Sequence, residues 1–314
     1  MNLEFRFAIS PNAEFYSTVR LAALSLRSLG SPYDSARILV SVGDHADLDS
    51  IHAANAWSEN YPVEWRTVSA DLFRQYSYLA TGADRFLPPS HADVIVMCDA
   101  DVCLVERIDE LVCRVGQPGQ RRIAGLQAHF PPFVRDAAKG EDEWRQIFAK
   151  AGLGEPQLSI RYSGDAAGIM GRAPVYLNYG FVAFSRDAFA AVAPLYQYYS
   201  NVARELTNGS FFTSQICLSL LTVATALETE FVSFAYNCSN DLLPFVAPDN
   251  FRINSVDDIR VIHYLRTDQF DRRKFLAEAS AYAAFLSAKN LNSVNARLRD
   301  HILNLSRRDN PLFQ

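Results

Sequence analysis

The stretch Val94-Ile95-Val96-Met97-Cys98-Asp99-Ala100-Asp101-Val102-Cys103-Leu104-Val105 places two carboxylates inside an otherwise apolar run. Its first residues are β-branched and apolar, which is typical of a central strand covered on both faces. Charges at the end of such a strand are costly to bury unless a partner neutralises them. Alternation along the strand places Asp99 and Asp101 on one side, with Ala100 pointing away. We therefore expect the pair in a crevice at the carboxyl edge of a sheet, where open α/β sheets bind ligands.

The composition is that of a globular protein with a sizeable core: 314 residues, 49% hydrophobic and 21% charged. A net charge of -5 leaves no basic footprint, so nucleic acid is not an expected partner. The five cysteines form no CxxC pair, which predicts reduced, mostly buried thiols and no zinc site. No stretch reaches the roughly 18 apolar residues of a transmembrane segment, and no signal peptide is evident. We expect a cytoplasmic protein, with peripheral attachment to the inner membrane as an open alternative.

Strand and helix patterns alternate in the N-terminal part of the chain, with strands over 5–9, 38–42 and 63–68 and helices over 14–29 and 48–57. This rhythm implies right-handed crossovers and a parallel sheet. The strand ends near Ile9, Ser10 and Asp44 then line the same crevice as Asp99. Further helices are predicted over 76–86, 107–115, 187–199 and 211–227, and further strands over 122–126, 181–184, 231–236 and 260–264.

Two segments depart from this rhythm. Residues 127–172 are predicted to be irregular apart from a helix over 144–151, and long loops of this kind often form lids or acceptor-binding segments. Residues 270–306 are rich in Ala and Leu and predict two helices, broken near Asn290, that pack on the main domain.

Three polar features follow or precede predicted strands and form a candidate site. They are the Asp99–Asp101 pair, the segment Asn178-Tyr179-Gly180 and His263. Two carboxylates and one imidazole suit an octahedral Mn²⁺ or Mg²⁺ ion that also binds diphosphate oxygens. Arg85, near the end of a predicted helix, is a candidate cation for phosphate or ribose.

These motifs, in this order, resemble the GT-A glycosyltransferases, and most closely the family-8-like group of bacterial galactosyltransferases and glycogenin. The resemblance covers about residues 5–266 and rests on Arg85-Phe86, Asp99-Ala100-Asp101, Asn178-Tyr179-Gly180 and His263-Tyr264. It implies an α/β fold with a Rossmann-like, mixed but mostly parallel central sheet flanked by helices. The transferase domain would span 1–268, with a C-terminal helical extension over 269–314.

The resemblance also implies a function and a set of site residues. The function is metal-dependent transfer of a sugar from a nucleotide sugar, with a UDP-sugar expected, to a carbohydrate, lipid-linked or protein acceptor. Asp99, Asp101 and His263 would bind Mn²⁺ or Mg²⁺, and Asn178 and Gln215 would be the catalytic residues that orient the sugar. The donor would contact Ile9, Ser10, Asp44, Arg85, Asp99, Ala100, Gly180 and Arg266.

The chain departs from the family pattern at two places. Ser214-Gln215 stands where the family often has Asp-Gln, and Leu265-Arg266 stands where a Gly and a Lys usually follow. The donor sugar and the choice between retention and inversion therefore stay open. An inverting enzyme needs a carboxylate base, for which Asp165 and Asp241 are the loop candidates.

Other functions fit parts of the pattern. Asp99-Ala100-Asp101 after an apolar strand also resembles haloacid-dehalogenase-like phosphatases, in which the first Asp is the nucleophile. In those enzymes the motif usually opens the chain, whereas a long strand–helix pattern precedes it here, and Asp257-Asp258 is a poor match to their later acidic pair. A nucleotidyltransferase would need a Gly-rich triphosphate loop, which strand one lacks. An inactive nucleotide-sugar-binding domain is a further alternative, because Ser214 replaces an acidic residue.

Overall fold

The computed structural model describes residues 1–43, 47–133 and 137–309. Ten strands are found in these ranges: β1 Leu3–Ile9, β2 Arg37–Val42, β3 Val63–Thr67, β4 Val94–Cys98, β5 Val102–Leu104, β6 Arg122–Gln127, β7 Leu177–Ser185, β8 Glu228–Phe231, β9 Cys238–Ser239 and β10 Val261–His263. The same ranges contain eleven α-helices: α1 Ala13–Ser28, α2 Leu48–Ala54, α3 Ala70–Tyr76, α4 Tyr78–Asp84, α5 Asp109–Val115, α6 Ala137–Lys150, α7 Arg186–Thr207, α8 Thr213–Ala224, α9 Leu243–Val246, α10 Ala279–Ser287 and α11 Ser293–Asp309.

Seven strands form a mixed central sheet in the order β3-β2-β1-β4-β7-β6-β8. Four of its pairs are parallel, and only β7 runs antiparallel, to β4 on one side and to β6 on the other. The predicted α/β class with a mostly parallel sheet is therefore confirmed. Because β7 runs antiparallel to β4, its first residues lie beside the carboxyl end of β4. The strand begins at Leu177, earlier than the predicted residue 181, so Asn178 and Gly180 lie within β7 and do not precede it.

A second, three-stranded sheet has the order β5-β10-β9. Its strand β10 carries His263, which pairs with Val102 of the antiparallel strand β5. The sequence pattern predicted a strand at this place but could not say which sheet it joins. His263 therefore reaches the site from the small sheet and not from the central one.

The strand β4 is the most buried element of the central sheet, since each residue from Val94 to Cys98 is 0% exposed. One face of the sheet packs against α1 and α11, and the other packs against α7 and α8. Apolar cover on both faces is what the β-branched sequence of β4 requires. It fixes the place where the chain leaves the sheet at Asp99.

Several predicted boundaries differ from the observed ones. The helix predicted over 76–86 is two helices, α3 and α4, which are separated at Ser77 with φ +52°. The segment 127–172 contains the helix α6, which begins at Ala137 and not at 144. The strand predicted over 231–236 ends at Phe231, because the Ser233 side chain caps a short 3₁₀ helix over Phe234–Tyr236.

The two predicted C-terminal helices are present as α10 and α11. Val294, Leu298 and Ile302 of α11 are 0% exposed and belong to the same core as β1. His301 Nε2 lies 3.0 Å from Ser25 Oγ of α1. These contacts hold α11 on the main sheet, and the division into 1–268 and 269–314 stays a prediction.

Two simpler expectations concern the cysteines and the membrane. All five cysteines lie in described parts of the chain as free thiols, and four of them are buried, as predicted. Within the described ranges, no helix combines the length and the apolar character needed to cross a membrane.

The aromatic stack below α4 gives a test of the fold. Phe86 stacks on Tyr196 with ring centroids 3.9 Å apart and also contacts Phe189 and Phe184. We predict that Phe86→Ala lowers the free energy of unfolding by about 3 to 5 kcal/mol, because it leaves a cavity between the sheet and α7. Urea denaturation followed by circular dichroism measures this loss.

The matched control is the next residue in the chain. Leu87 is 54% exposed, so Leu87→Ala should change the free energy of unfolding by less than about 0.5 kcal/mol. Equal losses for the two variants would contradict a stabilising role of the aromatic stack.

Candidate active site

A cavity of about 640 Å³ opens at the carboxyl edge of β1 and β4. Its described lining includes the end of β1, the turn after β4, the N-terminal parts of α4 and α8, and the segment after β10. The predicted donor contacts that line it are Ile9, Ser10, Arg85, Asp99, Ala100, Gly180 and Arg266, whereas Asp44 lies outside the described residues. The structure thus brings the predicted residues of the described ranges into one cavity.

The turn Asp99-Ala100-Asp101 joins β4 of the central sheet to β5 of the small sheet. The N–H of Asp99 donates to the carbonyl oxygen of Gly180 at 3.0 Å, and the N–H of Tyr264 donates to that of Asp101 at 3.0 Å. Each end of the turn is therefore fixed to a different sheet. The two carboxylates point into the same cavity because of this turn, whereas the predicted alternation already ends at Cys98.

The two carboxylates meet the imidazole of His263 in this cavity. One ligand atom from each of Asp99, Asp101 and His263 lies within 4.8 Å of the other two. His263 Nε2 lies 3.2 Å from Asp101 Oδ1, and His263 Nδ1 lies 3.0 Å from Asn237 Oδ1. In the neutral imidazole, donation from Nδ1 to Asn237 leaves the lone pair of Nε2 facing the carboxylates. This oxygen and nitrogen set fits Mn²⁺ or Mg²⁺.

The charges of the site favour a cation. Burial and repulsion from Asp101 raise the pKa of Asp99. Burial alone would raise the pKa of Asp101, but attraction to His263 and Arg272 lowers it. Burial disfavours charged His263, yet the pKa of His263 is raised because Asp101 attracts the imidazolium. A divalent cation would relieve the repulsion between the carboxylates and allow both to ionise.

Gly180 allows the small sheet to approach the central one. A Cβ atom on Gly180 would lie 2.3 Å from Cε1 and 2.5 Å from Nδ1 of His263, which is closer than atoms can pack. The N–H of Gly180 donates to Asn178 Oδ1 at 3.0 Å. The Asn-x-Gly segment therefore sets the distance between β7 and the imidazole.

A series of hydrogen-bonded polar side chains continues from this contact. Asn237 Nδ2 donates to Asn178 Oδ1 at 3.1 Å, and Asn178 Nδ2 lies 3.4 Å from His129 Nε2. His129 Nδ1 in turn lies 2.8 Å from Ser163 Oγ. Asn178, a predicted catalytic residue, thus links His129 to the partner of His263.

Sequence reasoning missed His129 and Asn237, although a signal for each was present. His129 follows β6 and Asn237 follows a segment predicted as a strand, so both are polar residues at the carboxyl end of a sheet element. His129 is a largely buried histidine, only 8% exposed. Burial lowers the pKa of His129 to about 3, so its imidazole is neutral in the network.

Arg85 forms part of the cavity wall. It is 3% exposed, its Nη1 donates to the carbonyl oxygen of Cys98 at 3.0 Å, and its guanidinium lies 4.7 Å above the ring of Tyr179. Its Nε has no hydrogen-bond partner among the described residues. Arg6 of β1 donates to the backbone carbonyl of Arg85 and so holds the end of α4 against the sheet. Arg85 is thus a buried cation next to the turn that carries the carboxylates.

The opposite wall is formed by the start of α8 and the connection before it. Gln215, the second predicted catalytic residue, and Ser214 both line the cavity. Gln215 Oε1 is buried without a hydrogen-bond partner among the described residues. At the mouth, Phe211 is 79% exposed and Tyr78 is 54% exposed. This wall therefore offers the polar side chains of Ser214 and Gln215 beside exposed aromatic rings.

Three arginines follow β10 at the third side of the cavity. Arg266 Nε donates to Asp241 Oδ2 at 2.7 Å, and Arg272 Nη1 donates to Asp101 Oδ2. Arg273 lines the cavity beside them. The sequence offered no signal for Arg272 and Arg273, because they lie in an irregular segment without a motif.

The two loop carboxylates considered as bases are engaged elsewhere. Asp165 is 1% exposed and accepts hydrogen bonds from the N–H groups of Ile169 and Met170. The pKa of Asp241 is lowered despite its burial, because Arg266 and Ser239 donate to its carboxylate. Neither residue is among the described residues that line the cavity.

The architecture is that of a GT-A-type glycosyltransferase fold. The galactosyltransferase LgtC, in complex with donor and acceptor sugar analogues, matches with a TM-score of 0.54 and 14% identity over 85% of this chain and 88% of that chain. An active-site mutant of LgtC matches with a TM-score of 0.51 and 13% identity over the same shares. Mouse xyloside xylosyltransferase 1, in its apo form, matches with a TM-score of 0.50 and 14% identity over 84% of this chain and 98% of that chain. No protein-family model and no curated protein sequence matches the chain.

This likeness confirms the predicted fold and does not favour the phosphatase alternative.

The Gly180–His263 contact gives a test of the site geometry. We predict that Gly180→Ala lowers the free energy of unfolding by about 1 to 3 kcal/mol, because the new methyl group displaces the imidazole. In the control Gly82→Ala, the nearest atom to the new methyl group is Ser214 Oγ at 3.7 Å, and the helical position should gain about 0.5 to 1 kcal/mol. Thermal and urea unfolding compare the two, and a stability gain in both would contradict the close approach.

The neutral state of His129 gives a test against pH. Its folded pKa of about 3 lies below the unfolded value of about 6.5, so the unfolded chain binds a proton first as the pH falls. The stability that neutral His129 contributes is therefore present above pH 6.5, and it is lost as the pH falls from 6.5 to 3. We expect this group to remove about 2 kcal/mol between pH 7 and pH 5.

The comparison is with His129→Gln, in which this contribution disappears. The difference in unfolding free energy between pH 7 and pH 5, measured in urea, should be smaller in the variant by about 2 kcal/mol. An identical pH dependence in the two proteins would show that His129 is not buried in its neutral form.

Proposed function

We propose that this protein is a metal-dependent glycosyltransferase that uses a nucleotide sugar, with a UDP-sugar as the expected donor. The observation that carries the proposal is the convergence of Asp99, Asp101 and His263 within 4.8 Å in the cavity of a GT-A-type fold. The named structural neighbours transfer galactose or xylose, in agreement with a sugar as the transferred group. The neighbours' low identity leaves the donor and the acceptor of this chain as proposals.

The proposed roles rest on these contacts and on the family resemblance. Asp99, Asp101 and His263 would hold Mn²⁺ or Mg²⁺, and the resemblance implies that Asp99 would also contact the ribose. The hydrogen bond between His263 Nδ1 and Asn237 would leave Nε2 available to the cation. The bound cation would supply Lewis acidity that stabilises charge on the departing diphosphate. Arg85 is buried beside Asp99 and raises the positive potential at this end of the cavity.

The donor sugar is proposed to lie between Asn178 and Gln215. The buried Oε1 of Gln215 has no hydrogen-bond partner among the described residues, so a sugar hydroxyl that donates to it would satisfy an otherwise costly group. Gln215 is thus proposed to orient the sugar and not to transfer a proton.

A retaining reaction fits the described side chains best. Asp165 and Asp241 are both engaged in other hydrogen bonds, and Glu14 at the start of α1 is the one further carboxylate in the described lining beyond the metal pair. A retaining reaction needs no side-chain base, because the departing diphosphate can accept the proton of the acceptor hydroxyl. The exposed rings of Phe211 and Tyr78 at the mouth suit the face of an acceptor sugar.

The experiment is a screen of nucleotide sugars for metal-dependent hydrolysis. The parent protein should slowly release UDP from its donor only in the presence of Mn²⁺ or Mg²⁺. Asp101→Ala should abolish Mn²⁺-dependent UDP binding in calorimetry, because it removes one of three protein ligands.

The control variant removes a carboxylate from the surface. Asp249 has an 89% exposed side chain and pairs with Arg252, so Asp249→Ala should bind UDP like the parent protein. Release of inorganic phosphate would instead identify a phosphatase. UDP binding without hydrolysis of any donor would identify an inactive binding domain.

A further inference from the structure

The Asp101 carboxylate lies between the imidazole of His263 and the guanidinium of Arg272. Its Oδ1 lies 3.2 Å from His263 Nε2, and its Oδ2 accepts from Arg272 Nη1. The side chains of Asp101 and Arg272 are 22% and 31% exposed, so the pair is partly shielded from water. Arg272 therefore holds an oxygen that the proposed metal site needs.

The backbone on both sides of Arg272 is fixed. Before it, Gln269 Oε1 accepts hydrogen bonds from Asn292 and Asn295 at the start of α11. Around it, the rings of Phe270 and Phe275 pack on Phe285 of α10 with centroids 4.6 and 5.0 Å away. The guanidinium is thus held at the cavity by a firmly packed segment.

Arg272 also differs from its neighbours in what it can bind. Arg266 lines the same cavity but is paired with Asp241, outside the metal ligands. A divalent cation on Asp101 repels the Arg272 guanidinium, whereas the diphosphate of a nucleotide attracts it. Planar, bidentate donors make arginine well suited to phosphate oxygens.

We propose that Arg272 and the divalent cation compete for Asp101, and that Arg272 binds the diphosphate of the nucleotide when the cation holds Asp101. The inference rests on the proposed function, since it assigns Arg272 to the donor site. The binding of the cation and the binding of the nucleotide would then be coupled. The nucleotide offers Arg272 a new anion, so Arg272 leaves Asp101 and the cation binds more tightly. By linkage, the cation strengthens nucleotide binding by the same factor.

Competition and phosphate binding predict opposite effects of one substitution. In Arg272→Gln, Mn²⁺ alone should bind about three- to fivefold more tightly, because the competing cation is gone. UDP in saturating Mn²⁺ should bind about tenfold more weakly, because a phosphate contact is lost. Electron paramagnetic resonance of free Mn²⁺ measures the first affinity, and calorimetry measures the second.

The matched control is Lys274→Gln in the same segment. Lys274 Nζ lies 3.3 Å from Glu278 Oε1 on the surface, with both side chains half exposed, and its loss should change neither affinity. Unchanged or weaker Mn²⁺ binding in Arg272→Gln overturns the competition, and unchanged UDP binding overturns the phosphate contact. A parent protein that binds Mn²⁺ but not UDP overturns the proposed function, while the Mn²⁺ arm still decides the competition.

Discussion

The site depends on the close approach of two sheets at Gly180. The small sheet delivers His263, the central sheet delivers Asp99, and the missing side chain at Gly180 lets the imidazole lie against β7. The turn Asp99-Ala100-Asp101 is hydrogen-bonded to both sheets, so the geometry of the two carboxylates and the packing of the sheets are one constraint. A shift of either sheet would separate the carboxylates from the imidazole. The side-chain amides of Asn178 and Asn237 oppose such a shift, because they are hydrogen-bonded to each other.

The buried charge in the central sheet is stabilised by ion pairing. On one face of β1, Arg6 is 0% exposed, lies 2.5 Å from Glu4 and stacks on the ring of Phe189 at 4.4 Å. The desolvation of Arg6 lowers its pKa, although Glu4 opposes the shift. Because Arg6 also donates to the backbone of Arg85, this buried charge positions one wall of the cavity. The packing of the central sheet therefore also determines a part of the cavity wall that is not formed by the carboxylates.

The sequence predicted those features that depend on local patterns. The apolar run of β4, the strand–helix rhythm and the chain order of the motifs were enough for the fold and for bringing Asp99, Asp101 and His263 together. Strand direction in β7 and the membership of β10 in a second sheet were beyond reach, because they depend on pairing between distant segments. Arg272 was missed for the same reason, since only the packing of Phe270 and Phe275 places it at Asp101.

The exposed ring of Phe211 has a consequence for how this protein can diverge. At one wall of the cavity Asp101 contacts His263 and Arg272, and His263 contacts Asp101 and Asn237, so a substitution there disturbs several contacts at once. The connection between α7 and α8 differs, because Phe211 is 79% exposed. Replacements in this connection can alter the shape of the mouth with little effect on folding. The shape of one wall can therefore diverge while the geometry of the other is retained.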